Sequence, residues 1–329
     1  MPAGQRKLLV HAAFGVVGVG ALALLVRSVG AATLLSILRT SARWVPVLFA
    51  LDALRVVAEA VGTWSLSERV RRRVPVLEMA RIHLVAYAVA VTMPAGRAAA
   101  EAVKAAMLSR FIGGPEAAAV GTANQTSSML GSALGALPCV AAALLLTGLS
   151  PLTLSFAGVV ALTLVGFTAL QIACRRGGLG GAVLRRITRM EQATQAFQDA
   201  LQRIPVVPPV ATLAAVFSRA VVVVEIGVVL FALGGRHGVG QALLAFGVSL
   251  VGGTVGDLVP GQLGATDGAF ALAAPYLGLA LVDGIAVSVL LHVVQALWAV
   301  IGWTLPFFWK APAIAKTSST PALPPHEPA

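Results

Sequence analysis

The amino-acid sequence predicts an all-α protein that crosses a membrane several times. Of its 329 residues, 58% are hydrophobic and only 11% are charged, whereas roughly 25% of the residues in an average soluble domain are charged. Several windows of about 20 residues carry few or no charges, and a helix of that length crosses a hydrocarbon core about 30 Å thick. Because backbone polar groups in lipid must be satisfied within each segment, these windows are expected to be helices.

Six apolar segments are long enough to cross the membrane completely. We interpret the first as a retained helix rather than a signal peptide, because its apolar run is long enough to span. The tail at 311–329 is rich in Pro, Ser and Thr and is expected to be disordered, which leaves residues 1–310 as a single transmembrane domain. The six segments lie at about 8–26, 44–65, 117–147, 151–174, 206–233 and 285–309.

Two further apolar regions, 80–112 and 240–280, are interrupted by proline and glycine. The first contains Pro94-Ala-Gly96 and the second contains Pro260-Gly261. Proline starts a helix well but breaks one that is already formed, and glycine permits sharp turns. Each region is therefore predicted to be a pair of short helices joined by a break.

The distribution of basic residues predicts the orientation of the chain. Arginines cluster at 66–81 and 175–205, and such loops lie on the cytoplasmic side. The number of crossings between these loops must then be even, and the segments 117–147 and 151–174 already supply two. Region 80–112 is therefore predicted to enter and leave on the same side, as a re-entrant hairpin. The sequence thus indicates a bacterial-type inner (plasma) membrane with both termini in the cytoplasm.

The same reasoning makes region 240–280 a second re-entrant hairpin that enters from outside, unless residues 240–258 cross the membrane by themselves. The chain is then an inverted repeat, with halves at about 8–147 and 151–309. Inverted repeats whose discontinuous helices meet near the membrane midplane are the architecture of many secondary transporters.

The two breaks carry the residues that we expect to bind a substrate. Each has an acidic residue seven positions after its proline. The start of a helix presents free N–H groups and a positive dipole end, which suit an anion such as a lipid phosphate, and an arginine adds a bidentate contact. Alternatively, both breaks are ordinary turns whose acids only start a helix. The predicted residues are Pro94, Gly96, Arg97, Glu101, Pro260, Gly261, Gln262, Gly264 and Asp267.

Charged residues inside the apolar segments are secondary candidates, because burying them in a membrane is costly. Asp52, Arg55 and Glu59 share one helix face, where Arg55 could pair with either acid. Such a pair could be a structural salt bridge or could take part in transport. Arg219 and Glu225 are six positions apart on a later segment, so they are not expected to pair with each other.

Uncharged polar residues and single charges add further candidates. A polar patch that begins with Asn124 and Gln125 could join helices or line a cavity. Asp257 precedes the second break and could position it. His292 and Gln295 are three positions apart on the last segment, and a single histidine there could also be structural.

Other classes of function are not expected from this sequence. The formal net charge of +11 is concentrated in short loops, which indicates membrane orientation and attraction to anionic lipids rather than nucleic-acid binding. The only two cysteines, Cys139 and Cys174, lie in apolar stretches and offer neither a disulfide framework nor metal-ligand spacing. No cofactor or metal is predicted. The longest hydrophilic segment, about 30 residues, is too short for a catalytic domain, so no enzymatic activity is expected.

The two breaks resemble those of a membrane family named after the transmembrane region of lysylphosphatidylglycerol synthases. The run from Pro260 to Gly268 is similar to the family's Pro-Gly-x-x-Gly-x-x-Glu-Gly element, and Pro94-Ala-Gly-Arg97 is similar to its Pro-Gly-Arg element. The resemblance extends over roughly 8–309. The chain departs from the family pattern at Asp267, where Glu is usual, and at Asn124-Gln125, where a Glu-Arg pair is common.

The resemblance implies movement of a lipid or lipid-linked substrate across the bilayer. No aminoacyl-transferase domain follows in the sequence, so synthase activity is not implied. The leading hypothesis is a transporter or flippase in which Arg97 and the two helix starts bind an anionic headgroup, while Glu101 and Asp267 assist or couple protons. The alternative is a non-transporting scaffold or accessory subunit of a lipid-modifying enzyme. A third hypothesis is an intramembrane enzyme that uses Glu101, Asp267 or His292.

Overall fold

The computed structural model of the chain is helical, and its described part contains no strand. This confirms the predicted all-α fold. The predicted first span at 8–26 and the predicted disordered tail at 311–329 lie outside the described residues. The structure describes residues 31–70, 74–175, 191–234 and 238–309.

Eleven α-helices are present in the described ranges. In chain order they are α1 Ala31–Ser41, α2 Val45–Val70, α3 Val76–Thr92, α4 Gly96–Ile112, α5 Gly114–Thr147, α6 Pro151–Arg175, α7 Glu191–Arg203, α8 Pro209–Ala232, α9 Val239–Val255, α10 Ala265–Leu277 and α11 Leu281–Phe308. Four of these, α5, α6, α8 and α11, are long and apolar enough to cross a membrane. Helix α2 has a comparable length but carries Asp52, Arg55 and Glu59 near its centre.

The first predicted break interrupts the helices where its proline and glycine occur. Helix α3 ends at Thr92 and α4 begins at Gly96, while Ala95 between them has a left-handed φ of 50°. Gly96 approaches α3 so closely that a Cβ there would lie 1.9 Å from the carbonyl oxygen of Ala90. Only glycine allows this approach, so its presence closes the α3–α4 hairpin tightly.

The second break is longer than the first. Helix α9 ends at Val255, a short 3-10 turn covers Pro260–Gln262, and α10 begins at Ala265. Helices α3 and α9, which lead into the two breaks, have 17 residues each. Each is therefore about 25 Å long, which is less than the thickness of a hydrocarbon core of about 30 Å.

Helices α2 and α8 run antiparallel along each other. Trp44, just before α2, contacts Phe231 near the end of α8, and Gly62 lies against Ala211 and Ala214 near its start. Helix α5 packs on α6 and α8, α4 packs on α3 and α5, and α11 packs on α3 and α10. The α3–α4 and α9–α10 hairpins are thus held against the long helices.

The buried apolar side chains form two clusters. Along α2 the chain passes from Leu48 in the first cluster to Leu66 in the second, and along α8 it passes from Ala211 in the second to Ile226 in the first. Polar side chains occupy the zone between the clusters, which we call the polar layer. Its members are Asp52, Arg55, Glu59, Thr63, His83, Tyr87, Glu101, Lys104, Asn124, Ser128, Ser132, Ser218, Arg219 and Glu225.

Candidate functional site

The two breaks contact each other, as the predicted meeting of discontinuous helices requires. The last turn of α3 lies on the 3-10 turn of the second break, with the Cβ position of Gly261 3.3 Å from the carbonyl oxygen of Val91. The Arg97 guanidinium and the Gln262 amide oxygen lie 3.5 and 3.0 Å from the Cβ position of Gly253. Residues more than 150 positions apart in the chain therefore form one site.

Arg97 and Asp257 form an ion pair across this contact. The Arg97 Nε lies 3.5 Å from Asp257 Oδ1, and the two side chains are 54% and 44% exposed. Pro94 and Pro260 are half-buried beside them. An ion pair this exposed contributes at most about 1 kcal/mol, so Arg97 can exchange its partner at little cost.

Asp267 is buried and fully engaged with neighbouring groups. Its Oδ2 accepts a hydrogen bond from the backbone N–H of Gly264 at 2.7 Å, and its Oδ1 accepts one from the Ser288 hydroxyl at 2.5 Å. His292 Nε2 lies 3.5 Å from the same Oδ1, and His292 Nδ1 lies 3.5 Å from Gln295 Oε1. Asp267 thus caps the start of α10 and joins α10 to α11. This geometry agrees with the alternative that the acid of the second break only starts a helix.

Glu101 has different surroundings, although it stands at the same distance from its proline. It lies in the second turn of α4, where its Oε1 is 2.5 Å from Lys104 Nζ and accepts a hydrogen bond from Asn124 Nδ2 at 3.0 Å. Asn124 in turn accepts a hydrogen bond from Thr63. Glu101 Oε2 is buried without a hydrogen-bond partner. The acid of the first break therefore links α4 to α5, and no side chain caps the start of α4.

Arg219 joins three helices in the polar layer. Its Nε donates to Ser132 at 3.0 Å and its Nη2 donates to Ser128 at 3.3 Å, both on α5. On α2, Glu59 lies 3.9 Å from Arg219 Nη1 and accepts a hydrogen bond from Ser218 at 2.9 Å. Arg219 thus pairs with an acid of another helix. This agrees with the expectation that Arg219 and Glu225, six positions apart on one helix, do not pair with each other.

Asp52, Arg55 and Tyr87 form a second polar group. Arg55 Nε lies 2.5 Å from Asp52 Oδ1. Of the two possible partners on the same helix face, Asp52 and Glu59, Arg55 therefore forms its short ion pair with Asp52. The Tyr87 hydroxyl donates to Asp52 Oδ2 at 2.9 Å and accepts from Arg55 Nη2 at 3.0 Å. This arrangement ties α2 to α3.

All of these residues lie within a region that matches a known family. The family described as the lysylphosphatidylglycerol synthase TM region matches residues 10–302. The chain belongs to this family. The match confirms the resemblance predicted from the two breaks, and it includes both breaks and the whole polar layer. No curated protein and no solved structure matches the chain.

In this member of the synthase transmembrane family, the polar patch of α5 divides into two kinds of residue. Asn124 and Ser128 bond to other helices, as described above. The hydroxyls of Thr126 and Ser127 bond to the carbonyl oxygen of Ala123 in their own helix. Gln125 is half-buried and forms no side-chain hydrogen bond with a described residue. The patch therefore acts in part as a link between helices.

Several residues of the polar layer were not predicted. Lys104 is buried against Glu101, and their spacing of three on one helix could have indicated the pair. Tyr87 and His83 are isolated polar residues in the middle of α3, and His83 Nε2 is buried without a hydrogen-bond partner. No local pattern identifies the partner of Tyr87, since Asp52 lies on another helix. Among the described residues, no group of three or more His, Cys, Asp or Glu could hold a metal.

Proposed function

We propose that this protein moves an anionic lipid or lipid-linked substrate across the bacterial inner membrane. The observation that carries the proposal is the contact between the two breaks, where Arg97 of one break lies exposed beside Asp257 and Gln262 of the other. Membership of a lipid-related membrane family supports the same class of substrate. The protein acts as a transporter or flippase and performs no catalytic step.

The hairpins are re-entrant and belong to an inverted repeat. The length of α3 and α9, 17 residues each, supports this topology because helices of about 25 Å do not cross the full hydrocarbon core. The basic loops at 66–81 and 175–205 support a cytoplasmic location for both termini. The contact between the breaks then lies within the membrane, where a substrate can reach it from either side in turn.

The start of α4 is the better anion site of the two helix starts. Asp267 already supplies a carboxylate at the start of α10, whereas α4 begins without a side-chain cap and has Arg97 as its second residue. A headgroup phosphate would replace Asp257 as the partner of Arg97, with free N–H groups of α4 and the Gln262 amide close by. Asp267 serves this site by holding the second break in place.

The polar layer gives the headgroup a route past the breaks. Several of its charges are compensated by neighbours, as in the Arg219–Glu59 and Lys104–Glu101 pairs. Polar groups along the route reduce the large cost of taking a charged headgroup out of water. The acyl chains remain in the surrounding lipid.

Transport is tested with purified protein in liposomes that contain trace amounts of lipids labelled on the headgroup. Movement is measured as the fraction of label that a membrane-impermeant reductant reaches with time. We expect phosphatidylglycerol and other anionic lipids to move faster than in protein-free liposomes. No movement across a broad panel of lipids would refute the proposal.

Variants of Arg97 test the site separately. Arg97→Ala should slow movement by about tenfold or more, because a hydrogen bond to a charged group contributes about 1.5–3 kcal/mol. Arg97→Lys keeps the charge but loses the bidentate geometry, so its rate of lipid movement should lie between those of wild type and Arg97→Ala. Arg110→Ala is the matched control, since Arg110 is exposed at the other end of α4. Equal rates in Arg97→Ala and the control would exclude this site and leave transport itself standing.

One observation favours the alternative, a scaffold or accessory subunit for a lipid-modifying enzyme. Asp52, Arg55 and Tyr87 satisfy one another within the protein, as expected of groups that only hold helices together. A scaffold predicts that a partner enzyme is purified with the chain and loses activity without it. It also predicts that Arg97→Ala has no effect on any lipid movement.

A further inference from the structure

Glu225 is a buried carboxyl group that the proposed binding site does not use. It lies on α8, is 4% exposed, and forms no side-chain hydrogen bond or ion pair with a described residue. It lies within electrostatic range of Asp52, Arg55 and Tyr87. A buried carboxylate without a partner costs several kcal/mol, so the presence of Glu225 in the apolar second half of α8 requires an explanation.

Asp52 and Glu225 both lie near one guanidinium, that of Arg55, but only Asp52 forms an ion pair with it. Both oxygens of Asp52 are already engaged, one by Arg55 Nε and the other by the Tyr87 hydroxyl. Arg55 is therefore committed to Asp52 and to Tyr87. If Glu225 were also ionised, the cluster would carry one uncompensated negative charge.

Among the described residues, the other elements packed on α8 bring no further counter-charge to Glu225. Helix α9 contains no acidic or basic residue, and the single charged residue of α5, Glu116, lies in its first turn. On α11, Asp283 lies in the first turn and His292 faces Asp267. Arg39 of α1 and Arg43 of the following turn are exposed at the surface, and Arg219 of α8 itself pairs with Glu59.

We propose that Glu225, together with the Asp52–Arg55 pair, forms a proton-binding site that couples proton movement to lipid transport. The coupling rests on the function proposed above, whereas the proton site does not. With a proton on Glu225 the cluster is neutral. When the O–H bond of Glu225 breaks, the proton passes to water and the new carboxylate competes with Asp52 for Arg55. A proton taken up from the opposite side restores the first arrangement.

Infrared spectroscopy of the protein in lipid tests the proton site without any transport assay. A protonated carboxylic acid has its own carbonyl stretching band, which disappears when the proton is lost. We expect wild-type protein to show this band at neutral pH and to lose it as the pH rises. Glu225→Gln, which keeps the shape and polarity of the side chain, should abolish the band. Glu59→Gln is the matched control and should retain it, because Glu59 is ion-paired on the same helix interface.

The spectroscopic outcomes are distinct. Absence of the band in wild-type protein at neutral pH, or its persistence in Glu225→Gln, overturns the proton site. The proton site is also overturned if the carbonyl band changes with sodium concentration and not with pH, since the site would then bind a metal cation. Thermal unfolding of Glu225→Gln is measured alongside, and Glu225→Asp provides a second variant in which a band at a shifted position is expected.

Coupling is tested in liposomes with an imposed pH gradient. One pH unit is worth about 1.4 kcal/mol per proton, so one proton per lipid changes the equilibrium ratio of labelled lipid between leaflets tenfold for each unit of gradient. We expect this shift in wild-type protein and no shift in Glu225→Gln. If wild-type protein moves lipid but the pH gradient leaves the ratio of labelled lipid between leaflets unchanged, coupling is refuted. No lipid movement at all refutes the proposed function, while the infrared band still reports on the proton site.

Discussion

Gly96→Ala tests how the first break is built, and its effect can be worked out from the backbone. The added Cβ would lie 1.9 Å from the carbonyl oxygen of Ala90 and 2.7 Å from its carbonyl carbon. Ordinary contacts begin near 3.4 Å, so α4 must move away from α3 by about 1.5 Å. Overpacking costs about 1–3 kcal/mol, and the upper end applies here because a backbone carbonyl cannot rotate away like a side chain. Better helix propensity offsets at most about 1 kcal/mol.

The assay is thermal unfolding of the purified, detergent-solubilised protein. A net loss of about 2 kcal/mol should lower the unfolding midpoint by several degrees, since 1 kcal/mol corresponds to about 2–4 °C in chains of 150–250 residues. Gly268→Ala is the matched control, because Gly268 lies near the start of α10 with open space at its Cβ position. Its midpoint should be unchanged or slightly higher. If Gly96→Ala unfolds at the same temperature as this control, the tight closure of the first hairpin is refuted.

Two further substitutions test the buried polar contacts. Asp267→Ala should destabilise the protein by about 3 kcal/mol, because the Ser288 hydroxyl and a backbone N–H lose their buried acceptor. Asp257→Ala, at an exposed position, is the control and should leave the unfolding midpoint nearly unchanged. Equal midpoints for the two variants would contradict the structural role of Asp267. Tyr87→Phe should lower the free energy of unfolding by about 1 kcal/mol, because one oxygen of Asp52 loses its donor. The same unfolding measurement checks this prediction. A midpoint at or above that of wild type would show that this hydrogen bond contributes nothing to stability.

Local chemistry made the breaks predictable. Pro94 and Pro260 lack the N–H that would continue a helix, and the glycines beside them allow the sharp turns that follow. Helices end and begin again at these positions in the structure. The breaks required only neighbouring residues for their prediction, because backbone geometry and proline chemistry are local properties.

The different roles of the two acids could not be read from their spacing. Glu101 and Asp267 each stand seven positions after a proline. In the structure Asp267 caps its helix, because the turn before it brings the N–H of Gly264 to its carboxylate. Glu101 instead meets Asn124 and Lys104. The path of the chain between proline and acid differs in the two breaks, and this path depends on packing against other helices.

The sequence by itself determined that this chain is helical, belongs in a membrane, breaks at two Pro/Gly elements and resembles a lipid-related family, because composition, propensity and motif are properties of neighbouring residues. The tertiary structure decided which polar groups meet. Arg219 pairs with Glu59 and Tyr87 with Asp52 between different helices. Arg97 of α4 pairs with Asp257 in the turn after α9. Such contacts depend on how the helices pack, and packing is set by the shapes of many distant side chains at once.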